Sequence, residues 1–464
     1  MNVDVAIIGA GGGGYPAAFR LAQSGRSVLM VDEKGNLGGN CLYEGCIPSK
    51  AVRQATVVWH QASQGQFMGL ALERRGAPWR DIRAYKDGVQ TRRYQQHAEE
   101  IRSTPHLTVI RGKARLTDAT HLSVEDWDAG ATLTVEARHI ILATGSEAAT
   151  APIPGLDRVW NHHQLFAWRD AVAELPPSLI ILGGGYIGVE AASMLSDLGV
   201  AVTLVEMAPS LLPTMDAELV RLMTEALANR VTILTGVQAE RIDGTPGAMV
   251  VTARRLHDQS PMTLKAAQVL AALGRKPFIP PDLGLDAIGL HYTPHGIPVD
   301  DHMRTNIPHI YASGDVTGLS MLFHSAVRMS EIAARTILSH GQDPDHFVAE
   351  EMPTTVFSRP ELFSVGLTRA MAEARGMKVE EVTRPMGVEA WAQIAGELEG
   401  QLKLVIRRSD GRILGIHGVG VSAVELSAAA HMAIHLGLTA RELATMTFPH
   451  PTQFEALDRL ARSI

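Results

Sequence analysis

Cys41 and Cys46 are the only cysteines among 464 residues, and four residues separate them. A crosslink closing so small a loop removes little entropy from the unfolded chain, so the pair is a poor stabilising staple. Two neighbouring thiols suit redox exchange, sensing or metal binding instead. A thiolate metal site needs further ligands, and residues 36 to 55 supply no histidine and only Glu44 as a carboxylate. The pair therefore reads as redox-active, with no metal. A disulfide exchanges with a dithiol only through an attacking thiolate, so a base must take the dithiol's proton. Imidazole suits that task near neutrality, but 19 histidines leave composition unable to choose one. The stretch from Cys46 through Lys50 to Gln54 has helix-forming composition with Pro48 in its first turn. A thiolate at that end gains from the helix dipole.

The elements that must hold an electron carrier against these sulfurs are written twice. Residues 3 to 8 read as an apolar strand, followed by Gly9-Ala10-Gly11-Gly12-Gly13-Gly14, a helix over 15–23 and a second strand over 27–31 that ends at Asp32. In a dinucleotide-binding βαβ unit, Gly9, Gly11 and Gly14 allow the tight turn and close backbone approach to a pyrophosphate. The helix N-terminus attracts its charge, and the acid accepts from a ribose hydroxyl. The layout recurs as a strand over 179–182, Gly183-Gly184-Gly185-Tyr186-Ile187-Gly188, a helix to 198 and a strand over 201–205 ending at Glu206. Gly183 follows Gly9, and Glu206 follows Asp32, by the same 174 residues. Glycines that merely close turns do not explain both acids. Two units imply two dinucleotides, and a redox cysteine pair makes one a flavin and the other a nicotinamide. A carboxylate at Glu206 repels a 2′-phosphate, and residues 207–210 offer no arginine to receive one, which favours NAD over NADP.

Composition narrows the partners. The net charge of -7, from 42 basic and 49 acidic residues, provides no global attraction to nucleic acid or anionic lipid. The basic stretch Arg74, Arg75, Arg80, Arg83, Lys86, Arg92 and Arg93 is interleaved with acids and reads as a solvated helix face. No apolar run reaches membrane-spanning length; the nearest, over 179–195, is broken by glycines and Glu190. The first strand starts too early for a leader peptide to precede it, so a cytoplasmic location is expected. The length implies several domains, and the proline-rich stretches 152–155 and 277–281 mark plausible boundaries.

The segment Gly38-Gly39-Asn40-Cys41-Leu42-Tyr43-Glu44-Gly45-Cys46-Ile47-Pro48-Ser49-Lys50 resembles the active-site signature of the pyridine nucleotide-disulfide oxidoreductases, in detail that of the dihydrolipoamide dehydrogenases. The similarity continues through Ala143-Thr144-Gly145-Ser146, Leu273-Gly274-Arg275, Ala312-Ser313-Gly314-Asp315, Phe357-Ser358-Arg359-Pro360-Glu361 and His450-Pro451-Thr452 with Glu455. The resemblance implies an α/β fold with two Rossmann-like domains, FAD on 1–148 and NAD on 149–275. A central domain over 276–348 would complete the FAD site, and 349–464 would be an α+β dimerisation domain. By the same resemblance, Cys41 forms the mixed disulfide with substrate and Cys46 is the thiolate against the flavin. Lys50 sits by the flavin, with Glu190 as its partner in the nicotinamide site. Asp315 contacts the flavin's sugar chain, and Thr144, Gly145, Ser146, Gly274 and Gly314 fall on cofactor motifs. Read alone, Glu190 is an exposed helix glutamate and Asp315 a turn aspartate. Ala114 stands where relatives tend to carry glycine near the adenine, where only its backbone matters.

His450 resembles the family's base, oriented by Glu455 and reaching the partner subunit's disulfide, which implies a homodimer. His162, His163, His324 and His417 read as structural or surface residues. The activity implied is NAD-dependent oxidation of dihydrolipoyl groups on a carrier protein or a 2-oxoacid dehydrogenase complex. An NAD(P)H-dependent reductase of a small-molecule disulfide is the alternative, against which Glu206 speaks. A mercuric reductase would need a further C-terminal cysteine pair that is absent. Three positions depart from the pattern: Phe448 replaces a histidine, Asn40 a threonine, and Tyr43-Glu44 the common Asn-Val. Phe448 and Tyr43-Glu44 are placed to reshape the substrate's entrance.

Overall fold

The structure, a computed structural model, describes residues 1–73 and 75–464. Strand Asn2–Ile8 is apolar along most of its length because it lies inside a parallel sheet covered on both faces. It pairs in parallel with Val28–Asp32 on one side and with Ala131–Leu142 on the other. Two long strands each serve two sheets' worth of pairing. Leu107–Leu116 runs parallel to Val28–Asp32 in its first half and antiparallel to His121–Asp126 in its second. The latter strand then pairs with the start of Ala131–Leu142. Strand Ile310–Ala312 adds to the far edge of this sheet, so the stretch from 276 to 348 returns to the first unit. Helices Tyr15–Gln23 and Phe323–Leu338 pack together over one face, around Ala17, Leu21, Met329 and Ala333.

The second unit is a four-stranded parallel sheet in the order Gln268–Ala271, Ser178–Leu182, Ala201–Val205, Val231–Leu234. Helix Tyr186–Asp197 lies against one face, and the antiparallel strands Val237–Thr245, Ala248–Arg255 and Pro261–Ala266 share a core with the other. This unit is inserted between two short strands, Ser146–Ala148 and Arg275–Pro277, which pair with each other. The C-terminal part is a five-stranded antiparallel sheet under helices Ala423–His435 and Glu455–Ala461. Among the described residues no helix is long and apolar enough to cross a membrane.

The solvated-face reading of the basic stretch needs correction. Arg74 lies outside the described residues, and Arg75 precedes helix Trp79–Ser103. Arg80 and Arg92 are exposed, but Lys86 is 0% exposed. The buried stripe of this helix is Trp79, Ile82, Lys86, Gln90 and His97, a helical periodicity carried mostly by polar side chains and so invisible to a hydrophobic pattern. The Lys86 ammonium donates to Gln90 Oε1 at 2.9 Å, the Ala167 carbonyl at 2.9 Å and Asp87 at 2.7 Å. These bonds offset the cost of burying a charge, and burial holds its pKa below the ordinary lysine value.

Candidate active site

Helix Gly39–Tyr43 carries Cys41, and Cys46 opens the 18-residue helix Cys46–Ser63. The reversal between them needs Gly45, where a Cβ would sit 2.9 Å from the Asn40 carbonyl oxygen. Both cysteines are free thiols, with Cys46 the more open to the cleft. The Cys41 thiol donates a hydrogen bond to Cys46, which lowers the Cys46 pKa to about 7, assisted by the Lys50 ammonium one helical turn away and opposed by burial and Glu190. The same bond, with burial, pushes Cys41 far up. Of the two sulfurs, Cys46, at the helix N-terminus and one turn from Lys50, is the better placed to carry negative charge.

Lys50 Nζ lies 2.6 Å from Glu190 Oε2, and the other Glu190 oxygen accepts from Phe357 N at 3.0 Å. The ammonium also sits 4.4 Å from the centre of the Phe357 ring. Glu190 is only 7% exposed, which overturns its bland reading as a surface glutamate.

A cleft of about 1840 Å³ runs past these groups. Its walls include Gly9, Gly11, Asp32, Cys41, Cys46, Lys50, Ala114, Thr144, Gly145, Ser146, Gly185, Glu190, Gly274, Gly314 and Asp315. The two glycine loops are built alike down to single bonds. Gly9 N donates to Val31 O and Gly183 N to Val205 O, both at 2.8 Å. Asp32 accepts from Ala10 N at 2.9 Å and Glu206 from Gly184 N at 2.6 Å. A Cβ on Gly14 would meet Gly9 O at 2.0 Å, and one on Gly188 would meet Gly183 O at 1.9 Å, so each helix sits directly on its own loop. Gly14, Gly183 and Gly188 thus act by close packing behind the cleft rather than on its wall. Burial raises the Asp32 pKa against the backbone bonds that lower it. Asp315 follows strand Ile310–Ala312, accepts from Ser146 Oγ, and is likewise raised by burial.

The residues present fit a dinucleotide such as FAD. The first loop leaves no side chain between its backbone and the cleft, and Gly39 comes so close to Gly11 that a Cβ there would lie 2.9 Å from the Gly11 Cα. The buried Tyr43 hydroxyl, on the same wall, has no hydrogen-bond partner among the described residues. Among those residues no group of three or more His, Cys, Asp or Glu side chains is arranged to hold a metal ion.

His450 and Glu455 are not brought to the cysteines of their own chain. His450 is 66% exposed, with Nδ1 2.9 and 3.0 Å from the two Glu455 oxygens. That bond is the main cause holding the Glu455 carboxyl below its ordinary value. Glu455 also accepts from Thr452 N and Arg459, so its orientation is fixed.

Residues 3–330 match the family described as pyridine nucleotide-disulphide oxidoreductase, and 352–461 match that family's dimerisation domain. The chain belongs to this family. It is 37% identical over 472 residues to the dihydrolipoyl dehydrogenase of Mycobacterium tuberculosis, covering 98% of this chain and 97% of that one. Among solved structures it resembles LpdA from Mycobacterium tuberculosis, with a TM-score of 0.89 and 26% identity over 99% of each chain. It also resembles the copper(II) complex of the HOCl-induced flavoprotein disulfide reductase RclA from Escherichia coli, at 0.85 and 26% over 100% of each.

Within this family frame, several residues around the redox loop went unassigned by sequence. Asn40 Nδ2 donates to the Ser146 carbonyl at 2.8 Å, which gives that departure a structural use. Gln90, held by the buried Lys86, donates to the Leu42 and Tyr43 carbonyls at 2.8 and 3.0 Å. Arg275 donates to Ser146 Oγ at 2.8 Å and to His162 Nε2 at 3.1 Å. His162 and His163, read from sequence as structural or surface residues, line the cleft beside Glu44 instead. His417 is fully buried on Ser364 Oγ and the Leu367 carbonyl, and its pKa falls to about 4 through burial, as a structural histidine's does. The signal that could have singled out His162 and His163 is the unusual Glu44 between the cysteines, a carboxylate in need of partners.

Proposed function

We propose that this chain is a dihydrolipoyl dehydrogenase: it oxidises dihydrolipoyl groups to the lipoyl disulfide and passes the electrons through Cys41 and Cys46 to NAD. The observation that carries this reading is the placement of the asymmetric Cys41/Cys46 pair on the wall of a cleft that also reaches both glycine loops. The loop Gly9–Gly14, Asp32 and Asp315 would hold FAD, with Thr144, Gly145, Ser146, Gly274, Gly314 and the Ala114 backbone along its length. The loop Gly183–Gly188, Glu190 and Glu206 would hold NAD. FAD, when bound, relays two electrons from the cysteine dithiol to NAD.

The chain's own residues do the thiol chemistry. A substrate thiolate attacks Sγ of Cys41, the Cys41–Cys46 bond breaks, and Cys46 leaves as a thiolate that the nearby Lys50 ammonium stabilises; the hydrogen bond from Cys41 is added only once Cys41 is released as a thiol. The second substrate thiol gives its proton to a base and attacks the mixed disulfide; lipoyl disulfide leaves, and the expelled Cys41 thiolate takes that proton from the base to become the thiol. His450, aligned by Glu455, is the base, supplied to the partner subunit's disulfide in a homodimer; its exposure and distance from its own cleft support that arrangement. The carrier is a lipoyl-bearing protein, as in a 2-oxoacid dehydrogenase complex. Glu206 Oε1 and Oε2 accept from Ala208 N and Gly184 N, which holds the carboxylate in place, and its charge would oppose a 2′-phosphate; this supports NAD over NADP.

Replacing Cys41 with Ser tests the reading. The variant is expected to keep FAD and lose dihydrolipoamide-dependent NADH formation. A variant that still turns over would refute the interchange role.

A further inference from the structure

Besides Gln90 and Ser146, the redox loop is held from outside by residues 161–170, a segment that leads toward the second nucleotide unit. Helix His162–Phe166 begins with a capping box in which the Asn161 side chain accepts from His163 N and Gln164 reaches back to Asn161 N. The cap fixes the two histidines over the loop between the cysteines. Trp168 N then donates to the Tyr43 carbonyl at 2.9 Å, while Lys86 grips the Phe166 and Ala167 carbonyls from the other side. The one side chain of the loop that answers this segment with charge is Glu44. Its Oε2 lies 2.7 Å from His163 Nδ1, and its Oε1 lies 3.7 Å from His162 Nε2.

His163 is bracketed. Nδ1 faces Glu44, and Nε2 faces Asp170 Oδ2 at 3.1 Å. A carboxylate only accepts, so an imidazole with a carboxylate at each nitrogen makes both bonds only as the cation, with a proton on each nitrogen. His162 is arranged differently: Arg275 can only donate, so His162 Nε2 accepts from it. Two adjacent histidines thus have separate tasks, one linking the segment to the Arg275–Ser146–Asp315 chain and the other closing an ion pair onto the redox loop.

We propose that His163 is a positioning residue of the redox centre, whose imidazolium, shared between Glu44 and Asp170, fixes the loop that sets Cys46 relative to the flavin. The inference rests on the proposed redox role of the cysteine pair but not on the identity of the dithiol substrate. When His163 loses its proton it can donate to only one of the two carboxylates, and the tie between residues 161–170 and the loop is cut or halved. The charged groups around it are Glu44 from the loop, Asp170 and His162 from its own segment, Arg275 from strand Arg275–Pro277, and Lys86 with Asp87 from helix Trp79–Ser103. The net local field favours the cation. The Glu44 bond first, and the Asp170 bond after it, raise the His163 pKa above the ordinary imidazole value. The clamp is therefore closed below the raised His163 pKa and opens as pH rises through it.

The test is the long-wavelength absorbance of the Cys46 thiolate against the flavin in holoenzyme reduced by two electrons with dithionite, followed from pH 5 to 10. Wild type is expected to gain this absorbance through a step near pH 7 and to lose part of it in a second step above the ordinary imidazole range. In His163→Gln the upper step should vanish while the lower one stays. In Glu44→Gln and Asp170→Asn the upper step should move down, because each removes one carboxylate that stabilises the cation. An upper step unchanged in His163→Gln, or none in wild type, overturns the proposal. Because dithionite needs neither lipoyl substrate nor NAD, a protein that shows both steps but does not oxidise dihydrolipoamide would keep the clamp and refute only the substrate. Absence of the absorbance at every pH in wild type would overturn the redox-centre reading together with this one.

Discussion

Gly188→Ala separates the two nucleotide sites most cleanly. The added Cβ would lie 1.9 Å from the Gly183 carbonyl oxygen and 3.0 Å from its carbon, more than 1 Å closer to the oxygen than real side chains come. Either helix Tyr186–Asp197 backs away from strand Ser178–Leu182 or the loop between them opens. Overpacking of this kind costs about 1–3 kcal/mol. The free protein relieves that strain by displacing the loop, and NAD must then draw the loop back to bind. Its affinity should therefore fall by up to the same amount, roughly 5- to 150-fold. The first loop is untouched, so FAD content should stay at one per chain. The assay pairs flavin absorbance per protein with the NADH dissociation constant measured by titration. Gly14→Ala is the mirror experiment, since its Cβ would meet Gly9 O at 2.0 Å, and it should give flavin-poor protein. Loss of flavin from Gly188→Ala with NADH binding unchanged within twofold would refute the assignment of the two loops.

Two further outcomes are expected. Lys50→Met removes a cation that lowers the Cys46 pKa and leaves Glu190 unopposed, and both effects disfavour the thiolate. The midpoint for thiolate formation in the reduced enzyme, near pH 7 in wild type, should move up by about one pH unit or more, read from the pH dependence of the thiolate absorbance; an unchanged midpoint would show that Lys50 plays no such part. His450→Gln should lower dihydrolipoamide turnover by about two to four orders of magnitude with FAD content intact, and a near-normal rate would place the base elsewhere.

The two nucleotide-binding units were legible because each is a contiguous run of residues whose pattern is set by backbone geometry. Strand 201–205 and helix 15–23 fall where their apolar periodicity puts them, and the equal spacing from glycine to acid reappears as equivalent hydrogen bonds. Each acid ties down its own loop through a backbone N–H. What sequence could not show are partnerships between distant residues. Glu190 looks like an ordinary helix glutamate until Lys50 and Phe357, 140 and 167 residues away in sequence, are folded onto it. Lys86 looks solvated because its helix buries a polar stripe, and the groups that satisfy the ammonium include carbonyls near residue 167. His162 and His163 were passed over for the same reason, as their partner Glu44 lies on the redox loop more than a hundred residues before them.

The most direct test of the central claim is the rate of NADH formation by purified holoenzyme with dihydrolipoamide, measured with NAD and with NADP and set beside glutathione disulfide as an oxidant of NADH or NADPH. Fast reduction of NAD, slow reduction of NADP and no turnover of glutathione disulfide are predicted. Inactivity toward dihydrolipoamide, together with NADPH-dependent reduction of a small disulfide, would contradict both the proposed substrate and the part given to Glu206.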